Sequence, residues 1–266
     1  MKIGFIGCGN MGAAMAAGIL KSGLCSRTQL MASAVSDRTK SKIREELEIC
    51  LADSNTQVAE FADLVFLAVK PKYYESVIRE IRGSLDQETI VVSIAPGKTL
   101  EQLEGLFEKP VKLVRAMPNT PAMAGEGMTA YCANAKVTEH EKAMAASVCG
   151  CFGKAEEVEE TLMDVVTAVS GSSPAYVFLF IEAMADAAVA DGMPRAQAYR
   201  FAAQAVLGSA KLLLETGLHP GALKDMVCSP GGTTIEAVRV LEEKGLRSAV
   251  FEAMKACTRK AGSHDV

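Results

Sequence analysis

Residues 7–12 read Gly7-Cys8-Gly9-Asn10-Met11-Gly12, a G-x-G-x-x-G spacing suited to the pyrophosphate of a dinucleotide. In that pattern Gly7 permits a tight turn, Gly9 lets the backbone approach phosphate oxygens, and Gly12 lets a helix lie close to its strand. The anion would rest over uncovered N–H groups where the helix begins. A purely structural glycine turn has the same spacing. Position favours the nucleotide: the turn follows the apolar run 2–7, with Ile6 last before it, and opens a small-residue helix over 11–21.

Three further segments could complete such a site. Ala34-Val35-Ser36-Asp37-Arg38-Thr39-Lys40 follows the next strand candidate, where an acid favours a free ribose and hydroxyls with a base favour a 2′-phosphate. Asp37 argues for NADH, while Ser36, Arg38, Thr39 and Lys40 argue for NADPH, and the balance leans to NADPH with NADH still usable. A solvated loop leading into a charged helix reads the same way. Ala68-Val69-Lys70-Pro71 and Ile94-Ala95-Pro96-Gly97 each close an apolar run, at the strand ends where open sheets bind ligands. Lys70 either contacts a ligand or caps the sheet rim. The small residues at 94–97 either leave room for a nicotinamide or form a loop without function.

Two turns have the residue types to hold a substrate. Met117-Pro118-Asn119-Thr120-Pro121 is rigid and polar, fit for an active-site wall or a structural turn. Ser229-Pro230-Gly231-Gly232-Thr233-Thr234-Ile235-Glu236 is more informative. Thr233 and Glu236 form a candidate capping box, and the glycines before it leave amides open to a carboxylate, with the Thr234 hydroxyl alongside. A helix cap without ligand remains the competing reading. His140, His219 and His264 stand without Ser, Cys or Asp partners, so a nucleophilic triad has little support. The acid pairs 156–157 and 159–160 read as a solvated linker. No clustered His, Cys and acid pattern suggests a metal.

The elements that must position these groups alternate. Strand candidates at 2–7, 29–33, 63–69, 89–94 and 112–115 are separated by helical sequence, including 40–47, and a helix candidate at 139–149 leads to a short run at 154–158. That order makes a mainly parallel sheet with helices on both faces. After about residue 160 no convincing strand remains, and long Ala-rich helices are expected over 175–190 and 195–215. The expected fold class is therefore an α/β Rossmann-type N-terminal domain, 1–160, followed by an all-α C-terminal domain, 161–266. Helices apolar on several sides need cover, and a domain of this size calls for a second subunit to supply it.

The 266 residues carry 28 Lys plus Arg against 32 Asp plus Glu, net charge -4, so no basic field recommends a nucleic-acid partner. The eight cysteines, scattered and without zinc-ligand spacing, read as free thiols in a reducing compartment, the cytoplasm. Met1-Lys2 runs straight into a strand, and no uninterrupted apolar run reaches bilayer length, so a membrane is not expected.

Taken together, GFIGCGNMG at 4–12, FLAVKP at 66–71, MPNTP at 117–121, VSGSSPAYVF at 169–178 and the long stretch 219–250 resemble the pyrroline-5-carboxylate reductases over essentially the whole chain. The resemblance implies reduction of L-Δ1-pyrroline-5-carboxylate, a cyclic imine carboxylate, to L-proline by NADPH or NADH, without metal. It implies a helical dimerisation domain and homodimers assembled into decamers. By motif, Ile6 to Gly12 would hold the pyrophosphate and Asn55 would serve the adenosine side, beside Ala34, Ser36 and Arg38. Residues 68–71 and 94–97 would line the cofactor. Gly231, Gly232 and Thr233 would grip the substrate carboxylate with Ser229 nearby, and Thr234 would hydrogen-bond the ring nitrogen as the catalytic positioning group. The GSSPAY segment would help build this pocket, across a dimer interface. Ser173 stands where the family has glycine, Pro96 replaces a small residue, and Asp37-Arg38 replaces Asn-Arg.

Two rivals belong beside it. A 3-hydroxyacid or 6-phosphogluconate type dehydrogenase would need a lysine acid or base in the helical part, with Lys211 and Lys224 as candidates. A nucleotide-sensing scaffold would bind cofactor without turnover.

Overall fold

The computed structural model describes residues 1–262. Its core begins with short apolar strands, β1 (Ile3–Ile6), β2 (Leu30–Ser33), β4 (Leu64–Leu67) and β5 (Ile90–Ser93), of which β1, β4 and β5 are buried at every position. Side chains apolar on both faces are what a parallel sheet covered twice requires. The alternation of strand residues divides the core in two. Phe5 and Phe66 stack with ring centroids 5.1 Å apart on one face, while Ile6 and Leu67 pack into the other.

With β3 (Cys50–Leu51), β6 (Lys112–Met117), β7 (Gly127–Ala133) and β8 (Gly153–Glu157), the described strands form one sheet in the order β3-β2-β1-β4-β5-β6-β7-β8. The 3-2-1-4-5-6 portion is the doubly wound order of dinucleotide-binding domains. Register places Ile6 level with Ser33 and Leu67, and Leu67 level with Ser93. Four strands thus end on one line, and the loops beginning at residues 7, 34, 68 and 94 leave the sheet from the same edge.

Helices α1 (Asn10–Ser22) and α6 (Glu139–Gly150) cover the Phe5 face. Helices α3 (Asn55–Phe61), α4 (Tyr74–Ile81) and α5 (Leu100–Phe107) cover the other. Their starts follow local chemistry: Ser54 caps α3, and Thr99 with Gln102 and Thr138 with Glu141 form capping boxes at α5 and α6. The short α2 (Asp37–Ser41) begins earlier than the helical sequence suggests and passes into a π turn over Lys42–Glu46. Two strands were not expected. β3 is only two residues long, and β7 sits behind a turn-rich stretch and pairs antiparallel with β6.

The chain divides into two compact units, Met1–Ser172 together with the chain from Cys257, and Ser173–Ala256. Strands stop with β8 at Glu157, where the change of character was read at 160, and the short α7 (Met163–Val166) precedes the division. The second unit carries α8 (Ser173–Ala190), α9 (Arg195–Thr216), α10 (Pro220–Val227), α11 (Thr233–Glu243) and most of α12 (Leu246–Gly262). Among its described residues only Ala185, Ala198 and Ala202 are buried, whereas Phe178, Leu179, Phe180, Phe201 and Leu214 are exposed. Small residues let α8 and α9 approach, and the large apolar side chains are left outside.

The helical stretch Glu160–Ala190 is long and apolar enough, by length and composition, to cross a membrane. The Gly-Ser-Ser-Pro sequence interrupts the run when read as letters, but Pro174 falls in the first turn of α8, where its missing N–H costs nothing.

Replacing Phe66 with alanine should cost about 3–5 kcal/mol by removing a fully buried ring from the stacked pair. Urea unfolding followed by circular dichroism should show a lower midpoint with an unchanged slope; an unchanged midpoint would place the ring outside the core.

Candidate active site

The turn after β1 leaves each glycine with a different task. Gly7 has φ +86°, and a Cβ there would lie 2.8 Å from Val69 Cγ1 and 2.9 Å from the Ala68 carbonyl oxygen. At Gly12 a Cβ would stand 2.8 Å from the Gly7 carbonyl oxygen, so the helix can lie this near its strand only without a side chain. A Cβ at Gly9 meets no described atom within 4 Å. The space over Gly9 is therefore open to a ligand. Gly9 is the N-cap of α1 with no side-chain cap, and the first turn holds no acidic residue, so its N–H groups favour an anion. Asn10 is exposed and Met11 half-buried at this start. Ile6 and Cys8 are buried, so their side chains belong to the core beneath the turn. Burial pushes the Cys8 thiol up to about 11, against a small opposing pull from Lys42, which leaves it protonated and inert at neutral pH.

A cavity of about 540 Å³ opens beside this turn. Of the expected residues it is lined by Gly7, Ala34, Asn55 and Val69. Ser33 Oγ donates to Asn55 Oδ1 at 2.6 Å, and Asn55 Nδ2 donates to Glu80 Oε2 at 2.7 Å. Ala68 sits 3.5 Å from the Gly12 Cβ position, behind the turn. Tyr73, Ser76, Val77 and Glu80 also line the cavity and were not anticipated. Their i, i+3, i+4, i+7 spacing along α4 and its lead-in was the available signal.

The remaining expected cofactor residues lie outside that lining. Ser36 is the N-cap of α2, its Oγ accepting from the Thr39 N–H at 3.3 Å, and Arg38 is exposed. Lys70 is exposed at the head of the 3-10 turn Pro71–Tyr73. Along 94–97, Ala95 and Gly97 are buried while Ile94 and Pro96 are half-buried. Two of the edge loops are tied together beneath. Tyr74 OH donates to the Leu67 carbonyl at 2.6 Å and accepts from Ser93 Oγ at 3.3 Å, joining the ends of β4 and β5. Burial pushes that phenol up to about 12, so it stays a neutral donor.

Asn119 of the MPNTP turn is a staple. Its Nδ2 donates to the Ser170 carbonyl at 3.0 Å and its Oδ1 accepts from Met128 N–H at 2.9 Å, so both ends are committed within the protein. Glu160 is likewise no solvated linker: Oε1 accepts from buried Arg115 at 3.1 Å and from the Leu100 N–H at 2.7 Å. The signal available in sequence was an arginine inside an apolar strand, which demands a counter-charge.

The second unit holds the other turn. Pro230 and Gly231, the latter at φ +66°, form a reverse turn closed by Gly232 N–H donating to the Ser229 carbonyl at 3.0 Å. A Cβ at Gly232 would collide with Ser229 Oγ at 2.4 Å. The expected capping box is absent. Gly232 is the N-cap of α11 without a side-chain cap, and Glu236 is held by Arg239 at 2.7 Å. The first-turn N–H groups at Thr233 and Thr234 are thus left uncovered by side chains, with Ser229 exposed and Thr234 half-buried beside them. His219 is the N-cap of α10, its Nδ1 accepting from the Gly221 N–H at 3.1 Å. Lys211 pairs with Glu215 at 3.6 Å and Lys224 with Asp225 at 2.5 Å. His264 lies outside the described residues, and among those described no three His, Cys, Asp or Glu side chains converge to hold a metal.

The sheet order, the open glycine turn and the separate helical unit define a nucleotide-binding oxidoreductase architecture. Residues 160–264 match the family described as pyrroline-5-carboxylate reductase dimerisation, and residues 2–97 match NADP oxidoreductase coenzyme F420-dependent. The pyrroline-5-carboxylate reductase of Escherichia coli (strain K12) is 56% identical over 260 residues, covering 98% of this chain and 97% of its own. Among solved structures, a pyrroline-5-carboxylate reductase from Coxiella burnetii superposes with TM-score 0.92 at 34% identity, over 100% of this chain and 98% of that one. The Plasmodium falciparum pyrroline carboxylate reductase with NADP bound gives TM-score 0.89 at 31% identity, again over 100% and 98%. This chain belongs to the pyrroline-5-carboxylate reductase family.

The glycine turn predicts a contrast. Gly9→Ala should keep the thermal midpoint of the parent and weaken NADPH binding by about tenfold, since the new methyl enters the open space over the turn. Gly12→Ala should lower both, because its methyl strikes the Gly7 carbonyl. Calorimetry with parallel fluorescence titration separates the two effects; equal NADPH affinity in Gly9→Ala would remove the phosphates from this turn.

Proposed function

We propose that this chain reduces L-Δ1-pyrroline-5-carboxylate to L-proline, with NADPH the preferred hydride donor and NADH also accepted. The observation that carries the reading is the pair of uncapped helix starts, one after β1 and one after the Ser229 turn. The first suits a pyrophosphate and the second a single carboxylate. Gly7 to Gly12 hold the pyrophosphate through backbone N–H groups, and Ala34, Asn55 and Val69 wall the adenosine side. Ser36 and Arg38 receive the 2′-phosphate from the rim, while residues 68–71 and 94–97 bound the nicotinamide half. When bound, the nicotinamide supplies a hydride to the ring carbon of the imine.

The protein's own residues supply orientation. The N–H groups around Gly232 and Thr233 grip the substrate carboxylate, Gly231 shapes the turn, and Ser229 Oγ lies against it. Thr234 Oγ hydrogen-bonds the ring nitrogen, whose protonated form makes the neighbouring carbon electrophilic. Catalysis rests on this fixed geometry and on electrostatics, not on a titrating acid. The lysines that a hydroxyacid dehydrogenase would require are tied to surface carboxylates, which disfavours that rival.

The exposed aromatic and aliphatic side chains of the second unit are the surface a homodimer would cover, with five dimers making a decamer. The same need accounts for the apolar stretch Glu160–Ala190 without a bilayer. The eight free thiols suit the cytoplasm.

Two measurements test the reading. Purified protein with pyrroline-5-carboxylate should oxidise NADPH faster than NADH and yield proline, while Thr234→Ala should lower kcat about ten- to a hundredfold with an unchanged melting curve. A folded, cofactor-binding sample that oxidises neither would sink the assignment. Light scattering after size exclusion should give ten times the 28.1 kDa chain mass, and a monomer peak would refute the assembly.

A further inference from the structure

The acid that sequence places after β2 to accept ribose hydroxyls does not reach the cavity. The Asp37 side chain is fully exposed, and its nearest cation is Lys40 at 3.9 Å. The cavity takes its carboxylates from elsewhere, from Asp53 and, on α4, Glu80. Glu80 is the one chained to the wall, through Asn55 to Ser33.

That chain has a fixed polarity. A carboxylate only accepts, so Asn55 must turn Nδ2 toward Glu80. Its Oδ1 then faces Ser33, whose hydroxyl proton is committed to it. What this bonded set leaves toward the cavity are the lone pairs of Ser33 Oγ and the second oxygen of Glu80, acceptors and one of them charged, against the single N–H still free on Asn55 Nδ2. Such a wall fits a group that donates, and the adenosine portion of a nicotinamide dinucleotide presents its ribose diol as such a group. It opposes a 2′-phosphate, which is itself an anionic acceptor.

We propose that Glu80 is a specificity-determining residue for the cofactor: it forces Ser33 and Asn55 into an accepting wall for the ribose diol, and so keeps NADH usable beside NADPH. The inference rests on the reading of this cavity as the adenosine pocket.

The full chain and its Glu80→Gln variant, assayed with saturating pyrroline-5-carboxylate against each cofactor, decide it. Glutamine keeps the length and can accept from Asn55, but it can equally donate and carries no charge. The ratio of kcat/KM for NADPH to that for NADH should rise about fivefold, carried by KM, with both kcat values within twofold of the parent. A ratio within twofold of the parent overturns the inference, as does an equal loss of kcat with both cofactors, the mark of a merely structural contact. If the parent turns over NADPH but shows no measurable NADH activity, the inference falls together with the use of NADH, while reduction of the imine by NADPH stands. A parent that oxidises neither cofactor removes the proposed function and this inference with it.

Discussion

Gly12 lies against the Gly7 carbonyl so closely that no side chain fits between them, and the cofactor half of the molecule depends on that contact. It brings the start of α1 onto the sheet edge and leaves the N–H groups after Gly9 uncovered. It also lets Ala68, at the end of β4, close over the turn from behind. The in-register ends of β1, β2, β4 and β5 then supply the other walls. Those strands are only four residues long, so a slip of one residue would move a whole loop off the line and exchange the two faces of the core.

Much of this was legible in the sequence because it rests on local rules. The glycine spacing, the apolar tetrapeptides and the Pro and Gly breaks placed β1, β2, β4, β5 and α1 within a residue or two. What escaped rests on tertiary partners. β3 is two residues whose pairing with β2 leaves no periodic trace. β7 follows a turn and is recruited by β6, a long-range choice. Glu160 looked solvated because its cation, Arg115, is 45 positions away in sequence. The capping box at Thr233 failed because Glu236 found Arg239 on its own helix, a competition that spacing alone does not rank.

Of the residues that line the candidate cavity, sequence pointed to Gly7, Ala34, Asn55 and Val69. Asn55 came only through family resemblance, and the α4 face was missed, although its spacing was visible. A helix that reads as amphipathic is normally assigned one buried and one solvent face. α4 uses both: Tyr74, Val77, Ile78 and Ile81 are buried, while Ser76 and Glu80 meet the cavity.

The helical unit presents a different economy of residue size. Its described interior is alanine, and its phenylalanines and leucines stand outside. The buried core of the sheet unit is drawn from Ile3 to Met163, all made before the helical unit, whose greasy face then stays uncovered until a second copy meets it in the proposed homodimer. Encounter is second order in chain concentration, so at low expression each new chain waits longer with that face open to chaperones and to aggregation. The rate of synthesis therefore enters the folding yield of this protein, and slow translation is not automatically the gentler condition.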